Sequence, residues 1–181
     1  MGDHREILVD LGTSPSSAGH VADETRRWLI ASGWADPASP AEDWLYPEVA
    51  GYTLGSHARG LFPSMREGTL AVVQKRDAYG VGDGTTDPAC PKCSSSAPSD
   101  DAEAAFLSWW EGLEPTLRCQ RCAFSGPIGD WDLSDSVAVG EIAVVIDPDA
   151  GTVDPAAVAE ALLSELRAQS GRRWTYTHLH L

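Results

Sequence analysis

Apolar and polar positions along the chain change period several times, and each change marks an element. Over residues 6 to 12, Ile7, Val9 and Leu11 alternate with Leu8 and Asp10. A period of two predicts a strand. A Ser/Gly-rich turn follows over residues 13 to 19. Residues 20 to 32 then take up helical spacing. Val21, Thr25, Trp28, Leu29 and Ser32 share one face, Asp23, Glu24, Arg26 and Arg27 lie mostly on the other, and Gly33 is the expected stop. Pro37, Pro40, Pro47 and Pro63 forbid long regular elements over residues 34 to 68. In that stretch Trp34, Trp44, Tyr46 and Tyr52 are expected to pin the chain to the body, and residues 52 to 58 suggest a short strand. Residues 69 to 75 form a clearer one around the apolar run from Leu70 to Val73.

The second half repeats this grammar. Asp100 with Glu103 three positions on is a helix-start signature, and Phe106, Trp109, Trp110 and Leu113 give that helix an apolar stripe. The adjacent tryptophans suit either a partner-binding ridge or a seal between a small module and the main body. The seal is the preferred expectation, because a small module has little core of its own. A short strand is expected at residues 116 to 118. Residues 141 to 146 are apolar after Glu141 and read as a central strand. Asp154-Pro155 starts a helix, Val158, Ala161, Leu162, Glu165 and Leu166 mark its packing side, and Gly171 ends it. The last strand is expected over residues 173 to 181.

The two halves echo each other. The run 6 to 9 followed by 21 to 24 resembles the run 141 to 144 followed by 158 to 161. Two strand-turn-helix units, each followed by a further strand, suggest an α+β fold with a ferredoxin-like split β-α-β sheet. The expected division is a first half of the α/β body over 1–80, an inserted module over 81–131, and the second half of the body over 132–181.

That module holds the strongest chemical signal. Its four cysteines are Cys90, Cys93, Cys119 and Cys122, two Cys-x-x-Cys pairs separated by twenty-five residues and the only cysteines in the chain. Two residues between thiols let one tight turn aim both sulfurs at a point, and two such turns make a tetrahedral thiolate cage. Zinc suits this cage, with iron as the alternative metal. Four protein thiolates leave no open position, so the expected role is structural rather than catalytic. Zinc with four thiolates carries a net charge of about −2, which Lys92, Arg118 and Arg121 stand beside. Disulfides are disfavoured because the start of the chain lacks an apolar signal core, and a cytoplasmic location follows as the expectation.

Composition narrows the partners. The net charge is −14, which argues against general nucleic-acid binding; simple solubility is its preferred reading, and attraction of a basic partner is the alternative. No run of about 18 apolar residues exists that would span a membrane. The glycines of residues 80 to 87 lack the Lys-Ser/Thr ending and following helix of a phosphate loop. Ser56-His57 and Ser134-Asp135-Ser136 lack a nucleophile-elbow pattern. Asp147, Asp149 and Asp154 lack calcium-loop spacing. In the last strand, Trp174, Tyr176, His178 and His180 share one face, a possible binding platform if one side of the sheet stays open. His178 and His180 also have the spacing to chelate a second metal, with His20 or His57 completing the set.

The knuckles resemble those of zinc-ribbon proteins, Cys90-Pro91-Lys92-Cys93 most closely, although Ser94 and Ala123 stand where glycine is usual. The wider order resembles small uncharacterised actinobacterial zinc-ribbon proteins, in which a ribbon precedes a Trp-containing segment, here Gly129-Asp130-Trp131, and a final strand-helix-strand. That resemblance brings no activity with it. The expected function is a non-catalytic, zinc-stabilised protein-binding module, an adaptor, regulator or inhibitor such as an immunity protein. The alternative is an enzyme with a pocket near His57, His178 and His180. The third is nucleic-acid binding, which needs Lys75, Arg76, Lys92, Arg118 and Arg121 to form one basic face.

Overall fold

In the computed structural model, which describes residues 4–42, 46–65, 67–80, 86–148 and 153–180, the alternating first run forms β1 (His4–Asp10) and leads into α1 (Ala18–Ala31). There follow β2 (Ala35–Glu42), β3 (Ala50–Leu54), the short helix α2 (Ser56–Leu61) and the long β4 (Gly68–Tyr79). The middle of the chain contributes α3 (Ser99–Trp110) and a hairpin of β5 (Thr116–Arg118) and β6 (Ser125–Pro127). It ends with β7 (Ala138–Pro148), α4 (Pro155–Ser170) and β8 (Trp174–His180). The fold is α+β. One six-stranded sheet has the order β2-β3-β4-β7-β1-β8, and all five neighbouring pairs are antiparallel.

Strand alternation assigns the sheet residues to two cores. Leu8, Leu70, Val72, Ile142, Val144, Ile146 and Trp174 pack with Val21 and Leu29 of α1 and Leu162 and Leu166 of α4. Ile7, Val9, Val73, Ala143, Val145 and Leu179 occupy the opposite face, with Tyr46 and Val49 packed on it. β7 is apolar on both sides because it lies inside the sheet, between β4 and β1. The helix signals are realised in α4. The Asp154 carboxylate accepts from the Ala156 amide at 3.1 Å, and Gly171 closes the helix in the left-handed region at φ 63°.

Two expectations are corrected. The proline-rich stretch is more regular than its prolines suggested: Pro37 and Pro40 sit on β2, a sheet edge, where a missing ladder donor is tolerated, and the pairing shifts register between Asp36 and Pro40. The expected strand over 52–58 divides into β3 and α2. On the tail face, Trp174 is 2% exposed beneath the helices, whereas Tyr176 and His178 are half-buried. Trp44 and residues 81–85 of the glycine-rich turn lie outside the described residues.

Leu162 is fully buried between α4 and the sheet. Leu162→Ala is expected to lower the unfolding free energy by about 2–4 kcal/mol, measured by urea titration. A loss below about 1 kcal/mol would mean that this helix is not packed as described.

Candidate metal centre

Both Cys-x-x-Cys pairs fold into the same turn. In the first, the Ser94 amide donates to the Cys90 carbonyl at 2.8 Å and the Cys90 amide donates to Ser95 at 2.9 Å. In the second, the Ala123 amide donates to Cys119 at 3.0 Å and the Cys119 amide donates to Phe124 at 2.8 Å. The residue after each pair must then turn left-handed: Ser94 has φ 55° and Ala123 φ 58°. The hairpin β5–β6 carries the second turn at its tip. The first is tied down by Ala89, which bridges both Ser96 and Asp132.

These turns bring the four sulfurs together within 4.8 Å of one another. The Cys90 and Cys122 sulfurs are 3.5 Å apart, and those of Cys93 and Cys119 are 3.6 Å apart. All four are free thiols. A four-thiolate tetrahedron with metal–sulfur bonds of about 2.3 Å has edges of about 3.8 Å, so the donor set fits a single ion. Thiols packed this closely do not ionise alike. The Cys122 amide, followed by that of Arg121, favours the Cys119 thiolate and holds its pKa down. The Phe124 amide favours the Cys122 thiolate, but loss of water and the three neighbouring sulfurs outweigh it and push that thiol up. A cation at the centre removes the conflict, because each thiolate then faces a positive charge.

A second core joins this site to the sheet. Cys90 and Cys119 are buried with Phe106 and Trp109 of α3, Ile128, Trp131, and Val137 and Val139 at the start of β7. A bulge in β4 completes the junction. Gln74 pairs with Ile142 and Asp77 with Gly140, so β4 advances three residues while β7 advances two. Arg76 lies in that bulge. Its guanidinium stacks 3.5 Å from the Trp109 ring centre, pairs with Glu141, and donates to the Trp109 carbonyl at 2.8 Å and to the Leu113 carbonyl. The Trp109 indole donates to the Asp77 carbonyl at 3.0 Å.

This clamp divides the expected apolar stripe. Ala102, Ala105, Phe106 and Trp109 are buried, whereas Trp110 and Leu113 are exposed. Trp109 is a seal, as expected, and Trp110 is not. Glu141 was missed as a site residue, and Arg76 was considered only as part of a basic face. The cue available was an arginine inside a strand-like run, followed by an isolated glutamate that opens an apolar strand.

The remaining candidates are dispersed. His57 pairs with Glu165 of α4 at 2.8 Å, and the Trp34 indole donates to the same carboxylate at 2.9 Å. These contacts hold the Glu165 pKa below the usual range despite partial burial. His20 pairs with Glu24 along α1. His178 lies opposite Glu6 in the β1–β8 ladder. Tyr176 donates to the Glu6 carboxylate at 2.6 Å, and burial followed by that carboxylate pushes its hydroxyl pKa up. Among the described residues, no histidine joins a cluster of three or more metal-ligating groups. The proposed basic face is also divided, since Arg76 turns inward and Lys75 pairs with Asp77 at 2.6 Å.

A polar crevice of about 290 Å³ separates the turn after β1 from α3 and is lined by Asp10, Arg76, Glu114, Asp130, Glu141 and Arg173. Most of its charges are paired internally, while burial pushes the Glu114 carboxyl pKa up. Arg76 pairs with Glu141 and Arg173 with Asp130. The Gly12 amide and Thr13 hydroxyl each donate to Asp10 at 2.8 Å.

The left-handed residues give a direct test of the turn geometry. A side chain in that region costs about 1 kcal/mol relative to glycine. Ala123→Gly, or Ser94→Gly, is therefore expected to raise the unfolding free energy of the metal-loaded chain by about 0.5–1 kcal/mol. Thermal unfolding reads this directly, and a fall in stability would refute the turn geometry. Set beside known proteins, the chain matches no family model, no curated protein and no solved structure.

Proposed function

We propose that Cys90, Cys93, Cys119 and Cys122 hold one structural zinc ion, and that the chain is a non-catalytic protein-binding module stabilised by it. Zinc is preferred because it accepts a closed tetrahedral thiolate set without a redox role. The closed donor set supports a structural role. The observation that carries the binding reading is the position of α3: its buried side is clamped by Arg76 and the cysteine module, its other side meets solvent with Leu107 and Trp110, and Leu113 is exposed just beyond its end. The sheet is proposed to be of the split β-α-β kind. In support, β1, α1, β4, β7, α4 and β8 follow one another in the chain and stand β4-β7-β1-β8 in the sheet. The residues between β4 and β7 are then an inserted zinc-ribbon module, and the chain divides near 1–80, 81–131 and 132–181.

Two measurements test this function. Elemental analysis of untagged protein is expected to find one zinc per chain, with little iron. The thiolates compete with protons, so lowering the pH weakens binding, and acid titration should release zinc as α3 loses its tertiary signal. Cys119→Ser with Cys122→Ser should abolish loading, and full loading of that variant would refute the site. Affinity capture with the intact chain is expected to retain a defined protein set that this variant does not. Equal retention by both, with turnover of a small substrate by the intact chain, would replace the binding reading with an enzymatic one.

A further inference from the structure

Exposed apolar side chains are concentrated in one place. Among the described residues, the large exposed hydrophobics are Leu61 at 47%, Leu107 at 53%, Trp110 at 52% and Leu113 at 59%. Three of the four fall within seven residues at the end of α3. Leu107 and Trp110, three apart, share a helix face. Beside them runs a groove of about 430 Å³ with Ala102 and Phe106 on its apolar side and Asp87 and Glu103 on its polar side. The Phe106 and Trp110 rings lie 6.4 Å apart and join the ridge to the groove.

The charge around this patch has one sign. Residues 94 to 117 contain Asp100, Asp101, Glu103, Glu111 and Glu114 and no lysine or arginine. The cations on the neighbouring strand are engaged: Arg76 with Glu141 and two carbonyls, Lys75 with Asp77. A second copy of the chain would set acid against acid across the ridge, and so would nucleic acid or an anionic lipid surface. A protein segment with an apolar stripe and basic flanks matches both features.

We propose that the Leu107–Trp110–Leu113 ridge and its groove dock a basic amphipathic helix of a partner protein. This deepens the binding-module reading and rests on it. The partner's large apolar side chains, spaced i, i+3 or i+4, and i+7, fill the groove beside Phe106 and cover Trp110. Its lysines or arginines face Glu103, Asp87 and the acids of the first turn of α3.

The experiment uses the zinc-loaded full chain and three labelled peptides, read by fluorescence anisotropy. One is an amphipathic Leu/Lys helix, one is a Leu/Glu helix with the same apolar stripe, and one is a scrambled Leu/Lys sequence. The Leu/Lys helix is expected to bind at least about tenfold more tightly than either control, and less tightly as salt rises. Trp110→Ala should weaken it about tenfold or more while keeping zinc and melting temperature unchanged, because that side chain is exposed. Glu103→Lys should reduce the preference for Leu/Lys over Leu/Glu. Equal binding of both charges, or unchanged affinity in Trp110→Ala, would overturn the proposal. If Leu/Glu binds at Trp110 and Leu/Lys does not, the partner's charge is wrong while the binding module stands. If no peptide moves the Trp110 indole resonance and captured proteins survive Trp110→Ala, the proposal falls and the binding module works through another surface; if the intact chain captures no protein, the binding-module reading falls as well. A dimer that Trp110→Ala dissociates would assign the ridge to a second copy and overturn the proposal.

Discussion

Four sulfurs meeting at one point is the constraint on which the middle of the molecule depends. They lie within 4.8 Å of one another, and four thiolates at that spacing need a cation among them. Little else in the segment is self-sufficient. Its hairpin has strands of three residues each, too short to persist alone in water. Its left-handed residues, Ser94 and Ala123, are held by the turns around the cysteines. The same turns deliver Cys90 and Cys119 into a core with Phe106, Trp109 and Trp131. A metal ion bound at this point would couple its binding to the packing of α3, because the binding free energy is also folding free energy.

Arg76 joins this module to the sheet. A regular β4 would alternate through residues 74 to 77. The extra residue there re-aims the arginine so that it reaches Glu141, the Trp109 ring and two carbonyls at the end of α3. Glu141 is a buried charge on a central strand, tolerable because its partner is a guanidinium that is itself stacked and hydrogen-bonded. Removing either partner leaves the other charge buried, so the junction is sensitive to mutation.

Much of this was legible in the residues, and the remainder was hidden for identifiable reasons. The cysteine spacing, the alternation of β1, the doubly apolar β7 and the caps of α4 are local signals, and local geometry decides them. The stretch from Ala35 to Leu61 was obscured by prolines, which carry the same local meaning in a loop and on a sheet edge. In the tail, alternation tells which residues share a side but not which side the helices cover. Trp174 went under α4, and Tyr46 and Val49 came to lie on the other face. The arginine inside a strand-like run did not by itself reveal the Arg76 bulge, since its partners lie on β7 and on the helix after the first knuckle.

The adjacent tryptophans follow from helix geometry. Successive residues on a helix point about 100° apart, so Trp109 and Trp110 cannot both enter one core. The clamp on Trp109 decides which of them is turned outward. A side chain presented from a fixed helix has less freedom to lose when a partner covers it. Trp110 is in addition oriented by its indole, 3.4 Å from the Asp77 carboxylate. The residues that anchor the metal module thus also set the direction of the exposed ridge. The metal's influence on binding would then be indirect, through the rigidity of α3 rather than through any contact with the partner.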